Sequence, residues 1–370
     1  MWSTRYRRAT TSGARGRRWR TATVGSDPAH KLEAAITIGE LGEFGLIAAV
    51  TAAMAAAGGQ AAAGDKPVGS KLLIGAGDDA AVLRTADGRV VATTDMLIEG
   101  RHFRRDWSSA TDIGHKAAAR NLADVAAMGA VPTALLVGFA GPGQLAVEWV
   151  TDLAAGIASE CAAVGAAVAG GDTSSSETVL LAITALGDLA GRVPVTRGGA
   201  RPGDVVAVAG TLGSAAAGLD LLIAGAVHDP PELAGLVSAH RRPSPPYAAG
   251  PQAAAIGATA LIDVSDGLIA DLGHVARASG VRVELQERLV AAEPIARVSA
   301  LRQAAKALGK QDWADWVLTG GDDHALVATF PADVVPPDGW TTIGTVAEGR
   351  GVAVDGSIWP GTGGWEHFRR

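Results

Sequence analysis

Residues 111–140 read TDIGHKAAARNLADVAAMGAVPTALLVGFA, and two structural signals follow each other in this stretch. Apolar residues at helical spacing predict a long helix from about Thr111 to Met128. The apolar run TALLVGFA (133–140) comes next and is typical of a strand. Asp124 stands inside the helical pattern among apolar neighbours, which sets it apart from aspartates in loops.

The same mixture of helices and strands continues on both sides of this stretch. The predicted strands are LLIG (72–75), AAVL (80–83), VVATTD (90–95), AAVAGG (166–171), VLLAITALG (179–187), the apolar part of RPGDVVAVAG (201–210), the strand of the strand-and-loop segment ALIDVSDG (260–267), VRVEL (281–285) and ALVATF (325–330). The predicted helices run from about 42 to 57, 144 to 164, 214 to 224, 247 to 257 and 268 to 278, and a further one ends near Leu318. The pattern predicts an α+β fold.

Length and composition describe a chain that can bury large cores. Its 370 residues suggest two domains, and 48% are hydrophobic while 19% are charged. No apolar run reaches the roughly 18 residues that a membrane span needs, and the nearest stretch is Ile47–Gly64. A single cysteine, Cys161, cannot form an internal disulfide, which favours a cytoplasmic location.

Charge is distributed unevenly along the chain. Residues 1–26 contain seven arginines and no acid, so the remaining chain carries −13, which is the net −6 less those seven. An acidic body argues against broad nucleic-acid binding. The arginine-rich start could be a nucleic-acid arm, but a disordered extension over 1–35 is the simpler interpretation.

Aspartates recur in loops that glycine makes tight. These loops are GAGDD (75–79), TTD (93–95), GGDT (170–173), DVSDG (263–267) and GGDD (320–323). A single Asp beside Gly is more often a turn residue than a ligand. As a set, however, so many carboxylates in one place would repel each other unless cations were bound, and Mg²⁺ suits them. The phosphate-binding loop GxxxxGK[ST] of P-loop enzymes is absent. We therefore expect an Mg-dependent enzyme of another class that acts on phosphorylated substrates.

A series of segments in matching order and spacing resembles the thiamine-monophosphate kinase family, within the aminoimidazole-ribonucleotide synthetase-like superfamily. The resemblance covers about Gly42 to Phe368. Its most specific segments are GEFGLI (42–47), GDDAAVL (77–83), TTDMLIEGRHF (93–103), KAAARNLADVAAMGAVP (116–132), GGDTS (170–174), TRGGARPGD (196–204), DVSDGLIADLGHVARASG (263–280) and GWEHF (364–368).

The resemblance implies an activity and an architecture. ATP would phosphorylate thiamine monophosphate directly, and no protein nucleophile is expected because a substrate phosphate oxygen attacks. An N-terminal α+β domain (36–188) that binds ATP and metal would pair its sheet in a homodimer, and a C-terminal α/β domain (189–370) would follow. No membrane and no nucleic acid are expected as partners.

The resemblance also implies site residues. Expected ligands of several Mg²⁺ ions are Asp79, Thr93, Thr94, Asp95, Asp124, Asp172, Asp263 and Asp266. Expected ATP contacts are Arg197, Ser265 and Gly171, and expected contacts of thiamine monophosphate are His102, Asp322 and Trp365.

Two segments depart from the family pattern. GGDDHAL (320–326) stands where GGEDYEL is usual, so Asp322 replaces a Glu and His324 replaces a Tyr. Trp365 replaces a Tyr near the end of the chain. The alternatives are an enzyme like aminoimidazole-ribonucleotide synthetase and a metal- or nucleotide-binding protein without catalysis.

Overall fold

The protein has the mixed α and β architecture that the sequence predicts. The computed structural model describes residues 35–58, 71–74, 80–226, 231–293, 295–361 and 363–364. The predicted extension over 1–35 lies outside these residues except for its last position, as do the GAGDD loop with Asp79 and the terminal Trp365.

A four-stranded sheet organises the first unit of the chain. Its strands are β3 (Val91–Ile98), β4 (Val131–Gly141), β5 (Ala167–Ser175) and β6 (Leu180–Asp188), in the order β3-β6-β4-β5. The accompanying helices are α1 (Ile38–Ala56), α2 (Ala110–Ala127) and α3 (Val147–Ala163), and β1 (Leu72–Ile74) pairs antiparallel with β2 (Val82–Leu83).

Helix α2 is the central helix of this unit because it packs on both the sheet and α3. Ser109 begins it with a capping box, in which Ser109 Oγ accepts the Asp112 N–H and the Asp112 side chain accepts the Ser109 N–H. Gly114 on α2 and Gly156 on α3 face the backbone of the opposite helix so closely that a Cβ atom would not fit at either position. The close crossing buries the alanine-rich face of α2.

A seven-stranded sheet organises the second unit. Its order is β13-β12-β9-β11-β7-β10-β8, and among the described strand pairs of this sheet only β12–β9 is parallel. The strands are β7 (Val205–Ala209), β8 (Ala260–Asp263), β9 (Arg282–Leu285), β10 (Leu326–Phe330), β11 (Trp340–Ala347), β12 (Gly351–Val354) and β13 (Ser357–Ile358). The described helices are α4 (Ser214–Ala224), α5 (Pro231–Arg241), α6 (Ala249–Ala255), α7 (Leu268–Ser279), α8 (Glu287–Val290), α9 (Val298–Leu308) and α10 (Ala314–Thr319).

None of the helices in the described part of the chain is long and apolar enough to cross a membrane.

Polar side chains of α2 fasten the two units together. His115 Nδ1 lies 2.7 Å from Glu160 Oε2 on α3, and His115 Nε2 lies 2.8 Å from the Pro243 carbonyl oxygen in the second unit. Tyr247 also donates its hydroxyl to Glu160 Oε1 at 2.6 Å. Burial lowers the pKa of His115, but the Glu160 carboxylate more than offsets this and the pKa is raised. A protonated ring can donate from both nitrogens, which suits both acceptors.

We expect His115→Gln to destabilise the protein by about 2 kcal/mol at pH ~6, because a hydrogen bond to a charged group is lost. A raised folded-state pKa means that this stabilisation is complete below the unfolded pKa and is lost as the pH rises through the folded pKa. The gap in unfolding free energy between wild type and variant should therefore shrink towards pH ~9. Chemical denaturation at both pH values measures it. His274→Gln, on the exposed face of α7, is the control. An equal difference in unfolding free energy at the two pH values would contradict the stabilising role of protonated His115.

Candidate functional site

The first acidic side chains of the site come from β3 and α2. Thr93 and Asp95 lie two apart on β3 and therefore on one face of the strand. Thr93 Oγ1 donates to Asp124 Oδ2 on α2 at 2.9 Å. Burial raises the pKa of Asp124 to about 7, and the negative charges of Asp263 and Asp95 contribute to the same shift. Asp124 is therefore close to three other predicted ligands, namely Thr93, Asp95 and Asp263.

The second unit contributes the segment that follows β8. Asp263 ends this strand and is buried, with 4% of its surface exposed, and Asp266 follows in the loop to α7. Asp271 Oδ2 accepts the backbone N–H groups of Asp266 at 3.0 Å and Gly267 at 3.1 Å, which fixes this loop. Burial raises the pKa of Asp271 well above its ordinary value, and the charges of Asp263 and Asp266 add to the effect.

Five carboxylates from the two units therefore form one acidic cluster. We use this name for the set Asp95, Asp124, Asp263, Asp266 and Asp271. Of these, Asp271 was not predicted from the sequence, although its position in the first turn of the helix after SDG is a signal for a capping acid. Among the described residues, no three acidic, histidine or cysteine side chains are already arranged as a metal-binding group.

Two basic side chains of α2 lie at the acidic cluster: Arg120 pairs with its member Asp95, and both Arg120 and Lys116 pair with Asp322. Arg120 contacts Asp95 Oδ2 through Nε at 3.3 Å and Nη2 at 3.2 Å, and contacts Asp322 Oδ1 through Nη1 at 3.3 Å. Lys116 Nζ donates to Asp322 Oδ2 at 2.9 Å and to the His240 carbonyl at 3.1 Å. Burial would raise the pKa of Asp322, but Lys116 and Arg120 hold it well below its ordinary range. Neither basic residue was singled out from the sequence.

The GGDDHAL segment (320–326) contacts both the acidic cluster and the basic side chains of α2. His324 Nδ1 lies 3.1 Å from Asp263 Oδ2, and its buried Nε2 has no hydrogen-bond partner among the described residues. Asp323 accepts the N–H groups of Gly213 at 2.6 Å and Ala215 at 2.9 Å and so caps α4. Asp322 and His324 both have left-handed backbone conformations, with φ of 70° and 54°, which non-glycine residues rarely adopt outside constrained sites.

Other predicted metal ligands lie elsewhere on the first sheet. The hydroxyl of Thr94 donates to the Ile183 carbonyl at 3.0 Å, on the face of β3 opposite to Thr93. Asp172 is exposed on β5, which two strands separate from β3. Gly171 beside it packs so closely on the Val137 carbonyl that a side chain would not fit.

The predicted substrate and nucleotide contacts are spread around the cluster. His102 follows β3, and its Nδ1 accepts the Ile98 N–H at 3.0 Å. Ser265 lies between Asp263 and Asp266, and its carbonyl accepts the Asp322 N–H at 2.9 Å. Arg197 is exposed in the segment before β7. These roles stay predictions, as do those of Asp79 and Trp365 outside the described residues.

Comparisons with known proteins agree on one family. A family model described as AIR synthase related protein, N-terminal domain, matches residues 77–189. The thiamine-monophosphate kinase of Mycobacterium tuberculosis is 49% identical over 298 residues, covering 80% of this chain and 86% of that protein.

Two solved structures are also similar along most of the chain. The thiamine-monophosphate kinase of Stenotrophomonas maltophilia has a TM-score of 0.71 and 34% identity, covering 85% of this chain and 96% of that one. AaThiL complexed with AMPPCP and TMP has a TM-score of 0.70 and 32% identity, covering 90% of this chain and 99% of that one. Because these relatives match most of the chain, and because the series of segments predicted the same family, the chain belongs to the thiamine-monophosphate kinase family.

Proposed function

We propose that this chain transfers the γ-phosphoryl group of ATP to thiamine monophosphate, forming thiamine diphosphate and ADP. The observation that carries the proposal is the acidic cluster where the two units meet, in a chain whose structural relative binds AMPPCP and TMP. ATP and a phosphate monoester together carry about six negative charges, so bringing them together requires positive charge from metal ions and basic side chains.

The donor chemistry of the cluster fits Mg²⁺. Carboxylate and hydroxyl oxygens are the hard ligands that this ion prefers. Burial raises the pKa of Asp124, and the negative charges of Asp263 and Asp95 add to the shift; a divalent cation would relieve the repulsion among these carboxylates. The residues that would hold the ions are Thr93, Asp95, Asp124, Asp263 and Asp266, with Asp79, Thr94 and Asp172 as further predicted ligands. When bound, Mg²⁺ would neutralise phosphate charge in the transition state.

The protein side chains then have binding and orienting roles. The attacking oxygen belongs to the substrate phosphate, which is largely ionised at neutral pH, so no protein base or nucleophile is required. We propose that Arg197, Ser265 and Gly171 contact ATP, and that His102, Asp322 and Trp365 contact thiamine monophosphate. Asp271 holds the Asp266–Gly267 backbone and so fixes the position of Asp266.

Three wider features belong to the same proposal. We propose a domain boundary between 188 and 189, which agrees with strands of the first sheet ending at Asp188 and those of the second starting at Val205. We also propose a homodimer paired through the first sheet, and a cytoplasmic location.

Release of ADP with thiamine monophosphate as acceptor tests the function. We expect Mg-dependent turnover with thiamine monophosphate and none with the aminoimidazole-ribonucleotide precursor, which serves as the control. Turnover with the control alone would assign the chain to the synthetase-like alternative. Nucleotide binding without turnover of either compound would favour a binding protein.

A further inference from the structure

Arg120 lies between two carboxylates that belong to different units of the fold. It is on α2, one turn before Asp124, and its side chain is 15% exposed. Nε and Nη2 both approach the same oxygen of Asp95, while Nη1 approaches Asp322. Arg120 therefore supplies positive charge at the predicted metal site itself.

The contacts of Arg120 are loose for ion pairs. Its three distances of 3.3, 3.2 and 3.3 Å exceed the roughly 2.7–2.9 Å that is usual for hydrogen bonds between a cation and a carboxylate. The guanidinium also shares one oxygen of Asp95 between two nitrogens and does not form the two-oxygen fork that suits it best. Exchanging these partners for others therefore costs Arg120 little interaction energy.

If Arg120 moves away from Asp322, Lys116 still provides this carboxylate with a positive partner. Its Nζ holds the second oxygen of Asp322 at 2.9 Å, so this buried carboxylate keeps a positive partner. Lys116 is itself only 2% exposed and also donates to the His240 carbonyl. Of these two basic residues, Lys116 is the fixed partner and Arg120 is the exchangeable one.

We propose that Arg120 is an exchangeable counter-charge, which neutralises Asp95 in the metal-free protein and turns to the phosphate of the acceptor substrate when a divalent cation takes Asp95. The proposal rests on the proposed function. A cation and a guanidinium on one carboxylate oxygen repel each other, so metal binding disfavours the Arg120–Asp95 pair. A phosphate monoester presents two oxygens to the planar guanidinium and is a better partner than the single carboxylate oxygen.

The test measures binding, which keeps it separate from turnover. Mn²⁺ is titrated into nucleotide-free protein by electron paramagnetic resonance, and thiamine monophosphate is titrated by calorimetry with Mn²⁺ and a non-hydrolysable ATP analogue present. We expect Arg120→Gln to bind Mn²⁺ about tenfold more tightly, because the competing charge is gone. The same variant should bind thiamine monophosphate about tenfold more weakly.

Two further variants complete the experiment. Arg302→Gln, on the exposed face of α9, is the control and should change neither affinity. Arg120→Lys keeps the positive charge but lacks the two-nitrogen fork of the guanidinium, so it should bind Mn²⁺ like wild type and thiamine monophosphate more weakly. This variant also replaces Arg120→Gln in the test if that variant does not fold. Unchanged or weaker Mn²⁺ binding by Arg120→Gln, or unchanged affinity for thiamine monophosphate, would overturn the proposal. Wild-type protein that fails to bind thiamine monophosphate at all counts against the proposed function, while the Mn²⁺ comparison still decides whether Arg120 competes with the metal.

Discussion

We expect Asp95→Asn to lower the rate of ADP release with thiamine monophosphate about a thousandfold while the fold is kept. The substitution preserves the shape of the side chain and removes one negative charge that a metal ion would need. Asp95 is partly exposed on β3 and pairs with Arg120, so an amide can replace it without leaving a buried carboxylate unpaired. The rate is measured at saturating ATP over a range of Mg²⁺ concentrations.

A matched control separates loss of the metal from loss of the fold. Asp152→Asn makes the same chemical change on an exposed position of α3 and should leave the rate unchanged. Thermal unfolding of the Mg-free Asp95→Asn protein should stay close to wild type. A rate within about threefold of wild type would remove Asp95 from the predicted ligands.

The sequence predicted the elements whose periodicity is strong. The helix expected at about 111–128 is Ala110–Ala127, and the one expected at 214–224 has those limits. The helix expected to end near Leu318 is two helices, because Gly309 in a left-handed conformation ends the first at Leu308.

Elements with weak patterns were missed. Helix α5 begins at Pro231, where the sequence analysis predicted no helix, although proline is well suited to a first helical position. Strand β11 was missed because Gly344 interrupts its alternation, and the register with β7 shifts between Thr342 and Gly344.

The acidic half of the site was easier to predict than its basic half. Asp95, Asp263 and Asp266 stand in or just beyond strands; the charges of Asp263 and Asp95 act on Asp124, and those of Asp263 and Asp266 act on Asp271. Their roles as metal ligands stay predictions. Lys116 and Arg120 look like the solvated face of a helix, because a sequence shows their spacing but not the second unit that covers them. Only the packing of Asp322 against α2 reveals that both are buried partners.

Lys116→Met should have the largest effect on stability, a loss of about 3 kcal/mol in the free energy of unfolding. Methionine has a similar length but no charge, so Asp322 would keep only the longer contact with Arg120, and the His240 carbonyl would lose a donor. Burial lowers the pKa of Lys116 while Asp322 favours its charged form, which means that the two groups are stable in this position only as a pair. Urea denaturation measures the loss, and Lys306→Met on the exposed face of α9 is the control.

A double-mutant cycle distinguishes the pair from simple packing. Asp322→Asn alone should also destabilise the protein, because Lys116 would then be buried beside a neutral amide. The double variant Lys116→Met with Asp322→Asn should lose clearly less than the two single losses together, since neither change then leaves a buried charge opposite a neutral group. Strictly additive losses would mean that the two side chains do not depend on each other. In that case the 2.9 Å contact between Lys116 and Asp322 would not stabilise the packing of α2 on the second unit.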